Sequence, residues 1–146
     1  MHCKCYQSVD SGQLCVFDLS SDLVALQEVR LTEMGQVHMT EVFEDKGFSI
    51  VHGKPLEQKS NIWHCSQGGV AIAARSHISI QAVVPVCEAE RALWDTSRYV
   101  RVAAGVGQGN QCVQVICVYG YSGAQNCTET MRLNEALLKG IFEVTA

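Results

Sequence analysis

Apolar residues along the chain cluster in short runs, and the runs separate into two kinds. Leu23-Val-Ala-Leu26, Val70 to Ala74 and Val113 to Val118 are apolar at nearly every position. Runs of that length and continuity predict strands buried on both faces. Ser97 to Val106 alternates instead, with Arg98, Val100 and Val102 in one phase and Tyr99 and Arg101 in the other. This is the period of a strand with two different faces. Phe48 to His52 and His77 to Val84 predict two more strands, and Gly107-Gln-Gly-Asn110 predicts a hairpin turn leading to a strand over Cys112 to Tyr119.

Helical spacing appears twice. Thr32 is a suitable cap for a helix running to about Lys46, with Met39, Val42 and Phe43 on its apolar side and Gly47 as its stop. Near the end, Asn126 with Glu129 three residues on resembles a capping box. Leu133, Ala136, Leu137, Gly140, Ile141 and Val144 then share one face. Gln13 to Leu19 reads as the tail of a further helix, with Leu14 and Phe17 on one side, and Met1 to Gly12 as a frayed terminus. Gly53 to Gln67 reads as a loop, and the charged stretch around Glu88-Ala-Glu-Arg91 makes Cys87 to Thr96 a connector.

The resulting order is strand, helix, four or five strands, helix. It predicts an α+β fold, a mostly antiparallel sheet with helices on one face. The 146 residues suit one domain, with 1–21 a poorly defined stub and 22–146 the folded part. A hydrophobic content of 47% and a charged content of 18% belong to a globular chain. The net charge of −4, with no lysine-rich tail, argues against strong non-specific nucleic-acid binding, though not against an enzyme that meets phosphate through a metal. No apolar run approaches the ~20 residues of a membrane span. Eight cysteines, several inside apolar strands and with no apolar leader at Met1, predict free thiols in a reducing, intracellular compartment.

Few residues stand out chemically. Glu28 ends the apolar run from Leu23, where the core holds the backbone and a carboxylate can project into a cleft. The plain alternative is a solvated strand-end residue. Tyr119 likewise ends the Val113 run, and its plain alternative is an aromatic packed on Tyr121. His64 beside Cys65 is no catalytic pair, because neighbours in an extended chain point opposite ways. His2, Cys3 and Cys5 lack the spacing and the second ligand pair of a structural zinc site.

Three stretches resemble, in order, the endonuclease/exonuclease/phosphatase family, the exonuclease III-like fold. These are Asp22-Leu-Val-Ala-Leu-Gln-Glu28, Gly68-Gly-Val-Ala-Ile-Ala-Ala-Arg75 and Val115-Ile-Cys-Val-Tyr-Gly-Tyr-Ser-Gly-Ala124. The resemblance runs from about Asp22 and covers the family's N-terminal half, so it implies half of a four-layer sandwich. By the same resemblance Glu28 is the ligand of a catalytic Mg²⁺ or Mn²⁺, Tyr119 an active-site tyrosine, and Ser122 a phosphate contact in place of an asparagine.

The implied parent activity is phosphodiester hydrolysis of nucleic acid, as in retrotransposon-type endonucleases, with inositol or phospholipid phosphatases the second substrate class. The family's Gly-Asp-x-Asn and Asp-His motifs are absent from these residues, no asparagine corresponds to its first-strand metal contact, and Asn134 and Asp95 are no substitutes. The chain is therefore expected to be inactive by itself. The rival expectation is a non-catalytic interaction protein. On either reading one sheet face is left uncovered and self-association follows.

Overall fold

The computed structural model describes residues 3–7, 21–57, 68–107 and 111–146. It is an α+β fold of two sheets. The first contains β1 (Cys3–Gln7), β2 (Leu23–Gln27), β3 (Phe48–His52) and β4 (Val70–Arg75), in the order β1-β2-β4-β3. The second contains β5 (Ile80–Ala82), β6 (Tyr99–Gly105) and β7 (Cys112–Val118), in that order. Every pairing is antiparallel except β1 with β2. Three helices complete the chain: α1 (Glu33–Asp45), α2 (Glu88–Asp95) and α3 (Thr128–Thr145).

The period-2 alternation explains the layers. From β2 and β4, Leu23, Val70, Ile72 and Ala74 point inward and meet Val100, Val102, Ala104 and Cys117 of the second sheet. The opposite face of the same strands presents Val24, Leu26, Ala71 and Ala73 to Met39 and Phe43 of α1. On the outer side of the second sheet, Tyr99 packs with Leu93 of α2 and Leu137 of α3. The order is thus helix, sheet, sheet, helices, and each sheet carries helices on one face. A strand buried on both faces must be apolar throughout, which is why β2 and β4 read as continuous runs.

Several details differ from the sequence expectations. There are two sheets, and they cover each other, so the anticipated open sheet face is buried: Ile72, Ala74, Val102 and Ala104 are all at 0% exposure. Cys3–Gln7, read as a frayed end, is a strand in register with Leu23–Gln27. Cys87 to Thr96 contains a helix, with the Cys87 Sγ accepting from the Glu90 N–H as its cap. Its charges concealed it, because Glu90 faces inward. The last helix starts at Thr128 after Cys127, with Asn126 in a preceding 3₁₀ turn, so the anticipated capping box is not formed. The strand anticipated over His77 to Val84 is only Ile80–Ala82. Thr32 and Gly47 bound α1 as expected: the Thr32 hydroxyl accepts from the Gly35 N–H, and Gly47 takes φ 78°. The segments holding Gln13 to Leu19, the His64–Cys65 neighbours and the tip of the β6–β7 hairpin lie outside the described residues. No helix among the described residues is long and apolar enough to cross a membrane.

One histidine in this frame gives a pH prediction. The Thr40 hydroxyl donates to the Gln36 carbonyl, so Nε2–H of His52, 3.1 Å away, donates to Thr40, and Nδ1 is left buried with no partner among the described residues. Burial lowers the His52 pKa to about 4. The unfolded chain binds a proton below its ordinary pKa of about 6.5, while the folded chain does not until about pH 4. Stability should therefore be fully present above pH 6.5 and fall as pH drops toward 4, by up to about 3 kcal/mol. Urea titrations across this range should show the slope in the wild type and lose most of it in His52→Gln. An equal slope in both would assign it to other groups.

Candidate functional site

The two sheets are tied together where β2 and β7 end. The Gln27 amide donates to the Val118 carbonyl at 2.6 Å, and the Cys117 thiol to the Leu26 carbonyl at 3.5 Å. The next residue of each chain segment then projects at the same edge. The Tyr119 hydroxyl donates a short hydrogen bond to Oε1 of Glu28, joining residues 91 positions apart. Arg30 adds a second donor to the same oxygen at 3.3 Å.

The backbone around Glu28 is unusual. Among the described residues, three non-glycine residues have positive φ: Glu28 at 55°, Arg30 at 48° and Ser97 at 57°. Such conformations are costly for residues with a Cβ and concentrate at functional sites. All three belong to one hydrogen-bonded junction. Val29 N–H donates to the Gly69 carbonyl at 3.1 Å, Arg30 N–H to that of Gly68 at 3.2 Å, and Gly69 N–H to that of Ser97 at 2.8 Å. Gly69, at φ 85°, lets the chains approach, since a Cβ there would lie 2.7 Å from the Arg30 nitrogen. The glycine pair thus holds the Glu28 turn against the start of β6.

Arg98, next to Ser97, is only 4% exposed. Its guanidinium lies over the rings of Tyr119 and Tyr121, at 4.9 and 3.9 Å from their centroids. It donates to the carbonyls of Tyr119 at 3.3 Å and Gly120 at 2.7 Å. Asn134 of α3 holds the following residue at both ends, its Oδ1 accepting from Tyr121 N–H at 2.7 Å and its Nδ2 donating to the Tyr121 carbonyl at 2.8 Å. The turn from Tyr119 to Tyr121 is therefore held from both sides, by Arg98 at the Tyr119 and Gly120 carbonyls and by Asn134 at Tyr121.

The electrostatics follow from these contacts. The Tyr119 hydroxyl, aided by Arg30 and Arg98, holds the Glu28 carboxyl below its ordinary range against the opposing effect of burial. Burial, then the bond to Glu28, pushes the Tyr119 phenol up. At neutral pH the pair is a carboxylate and a protonated phenol, so Tyr119 acts as a donor and not as a base. Desolvation lowers the Arg98 pKa, opposed by Tyr121, Tyr119 and Glu28, and an arginine so placed remains a cation.

Of the residues singled out from sequence, the structure brings Glu28 and Tyr119 into contact. Ser122 lies in the exposed turn three residues beyond Tyr119. Sequence reasoning gives no role to Gln27, Arg30 or Arg98 and rejects Asn134. Arg98 had a signal: it shares the phase of Val100 and Val102, the buried side of β6, where an arginine needs a reason. Asn134, a polar residue inside the helical pattern, carries no such signal.

For a metal, the described residues contain no group of three or more histidine, cysteine or acidic side chains placed to share an ion. Glu28 offers one carboxylate, and both of its hydrogen bonds fall on Oε1, leaving Oε2 without one among the described residues. One carboxylate beside Arg30 and Arg98 is a sparse donor set for Mg²⁺ or Mn²⁺, which would have to take its remaining ligands from water and phosphate oxygens. No protein-family model and no curated protein matches this chain.

Proposed function

We propose that this edge is the phosphoester-binding part of a metal-assisted phosphodiesterase site of the endonuclease/exonuclease/phosphatase kind, with nucleic acid as the substrate class. The observation that supports it is the contact between Tyr119 and Glu28. Two strand ends, singled out separately by resemblance, meet as a carboxylate and a phenol, and the third stretch, Gly68-Gly69, forms the turn beneath them. Glu28 would hold Mg²⁺ or Mn²⁺, which supplies charge neutralisation at the phosphate. Tyr119, protonated, would turn its one O–H from Glu28 to a phosphate oxygen, while Arg98 and Asn134 hold the turn that follows it. Ser122 would contact the substrate from the turn.

The residues that activate water in that family have no counterpart among these 146, and groups that act as a unit lose nearly all rate when essential members are missing. The chain alone is therefore expected to leave abasic, nicked and supercoiled DNA uncut with either metal. It should bind Mg²⁺ only at about millimolar levels, because that ion gives up its water reluctantly to a single carboxylate. Calorimetry on wild type and Glu28→Gln tests the site: weak binding that the substitution removes supports it, and equal binding in both would overturn it. Cleavage that disappears in Glu28→Gln and Tyr119→Phe would keep the site and overturn the inactivity.

A second reading, an interaction protein that self-associates, rests on α3, where Leu138 and Phe142 are exposed beside Glu135, Lys139 and Glu143. Sedimentation of wild type against Phe142→Ser decides it. An association that the substitution leaves intact would exclude this surface.

A further inference from the structure

The second sheet ends on an open strand. Among the described residues β7 pairs with β6 alone, and the order β5-β6-β7 puts its other side at the sheet edge. The ladder fixes which backbone groups face outward. Tyr119 N–H donates to the Arg98 carbonyl and Val106 N–H to that of Gln111, so the odd-numbered residues of β7 bond to β6. Cys112, Gln114, Ile116 and Val118 therefore point their N–H and C=O groups away from it. The Val118 carbonyl is taken by the Gln27 amide. Edge strands are commonly guarded by charge, proline or brevity. β5, at the opposite edge, is three residues long. β7 is seven, Cys112-Val-Gln-Val-Ile-Cys-Val118, with no charge, proline or glycine.

A second observation falls on the same side. Leu137, Ile141 and Val144 of α3 lie against Tyr99, Ile116 and Val118, so the helix covers the boundary between β6 and β7. Gly140 faces Leu93 of α2. Leu138 and Phe142, two residues to either side of Gly140, lie on the opposite flank of the helix, and Met131 lies in line with them. All three are exposed, Phe142 at 73%. The apolar stripe of α3 thus stands above the open edge of β7, on the flank that α2 does not cover.

We infer that this chain forms a two-fold dimer in which β7 pairs antiparallel with β7 of a second copy and the two α3 helices pack side by side above the join. The inference rests on the self-association reading of α3 and is independent of the metal site. Two three-stranded sheets become one of six strands, and the outward N–H and C=O groups of Cys112, Gln114 and Ile116 are satisfied. The spacing fits. Each helix sits over a β6–β7 boundary, so the helices stand two strand spacings apart, about 10 Å, within the range of packed helices. The charges fit as well. Two-fold symmetry makes the helices antiparallel, and an axis near Leu137 sets Glu135 of each copy opposite Lys139 of the other, with Phe142 beside Met131. In its own chain Lys139 has only a long contact with Glu143, at 3.9 Å. An unrelated extended peptide could pair with the edge but would leave the stripe on α3 uncovered. The pairing stops short of Glu28 and Tyr119, because Gln27 closes the strand at Val118.

The test uses the full chain, sedimentation over a range of micromolar concentrations, and amide hydrogen exchange at the two ends of that range. Wild type should reach a dimer and stop there. Gln114→Pro is the informative variant, because the N–H it removes faces away from β6 and an edge strand tolerates that loss. It should weaken the dimer at least about ten-fold. Gln114→Ala loses only the side-chain bond to Arg101 and should dimerise as wild type does. Phe142→Ser should also weaken the dimer at least about ten-fold. In wild type, with no substitution to disturb the fold, the Gln114 and Ile116 amides should exchange at least about ten-fold more slowly where the dimer dominates than in the dilute monomer. A dimer that Phe142→Ser weakens, but that forms normally in Gln114→Pro and leaves those two amides unprotected, would overturn the strand pairing and keep the self-association reading. A wild type that stays monomeric, or an association that Phe142→Ser leaves intact, would overturn both.

Discussion

Glu90→Ala is expected to destabilise the chain by about 3–5 kcal/mol, much of what a domain this size has to lose. Glu90 is 1% exposed, on the inner side of α2. It accepts from the Tyr99 hydroxyl at 2.9 Å, and Nη2 of Arg101 lies 2.7 and 2.8 Å from its two oxygens. The Val86 N–H adds a longer contact at 3.4 Å. Burial, and after it Glu90, pushes the Tyr99 phenol well above its ordinary pKa, so the hydroxyl stays a donor. Removing the carboxylate leaves that hydroxyl buried without its acceptor. It also leaves the Arg101 guanidinium, already carrying a buried Nε with no partner among the described residues, without its counter-charge. Glu90→Gln keeps an acceptor for Tyr99 and should lose about half as much. Glu90→Leu combined with Arg101→Met and Tyr99→Phe should recover most of the loss, because apolar packing often replaces a buried ion pair at little cost once no polar partner is left behind. Urea midpoints at constant m-value, compared with the wild type, measure all three variants. A loss below about 1 kcal/mol in Glu90→Ala would mean that water or rearrangement satisfies the partners.

The same residue shows where the sequence is hard to read. Glu88-Ala-Glu-Arg91 looks solvated because charge is normally exposed. The fact that Glu90 is buried depends on Tyr99 and Arg101, which lie on a later strand. β2 and β4 were readable because burial on both faces demands apolar residues at every position, and that demand leaves its mark locally. The second sheet was not. The alternation of Val100 and Val102 with Tyr99 and Arg101 says that β6 has two faces, but a face that needs cover looks the same whether the cover comes from this chain or another. The candidate site divides in the same way. Glu28 and Tyr119 sit where apolar runs end, a position visible along the chain. Arg98 and Asn134, which hold the turn around Tyr119, act through contacts 13 to 22 residues away, and Gly69 through its approach to Arg30. The positive φ values of Glu28, Arg30 and Ser97 leave no trace in residue type, since none of the three is a residue that favours that conformation.

Gly69 is where stability and the candidate site should be most tightly coupled. Gly69→Ala is expected to cost about 3 kcal/mol, the sum of two effects. At φ 85° an alanine pays a backbone penalty of about 1–2 kcal/mol. Its Cβ would also lie 2.7 Å from the Arg30 nitrogen and 3.5 Å from the Val29 carbonyl carbon. These are backbone atoms and cannot rotate aside. The Glu28 turn must therefore move away from β4, which stretches the bonds from Val29 and Arg30 to the glycine carbonyls and draws Glu28 away from Tyr119. Gly47→Ala is the control: its φ is 78°, nothing lies within 4 Å of the added Cβ, and it should lose only the backbone penalty. Two measurements separate the effects. Urea titration should rank Gly69→Ala well below Gly47→Ala. Spectrophotometric titration of the tyrosines should show the Tyr119 phenol, located by its loss in Tyr119→Phe, moving toward its ordinary pKa in Gly69→Ala alone, because part of its elevation comes from the bond to Glu28. Equal losses in the two variants, with Tyr119 unmoved in both, would mean that the turn beneath Glu28 is soft and that the glycine pair does not set the geometry of the site.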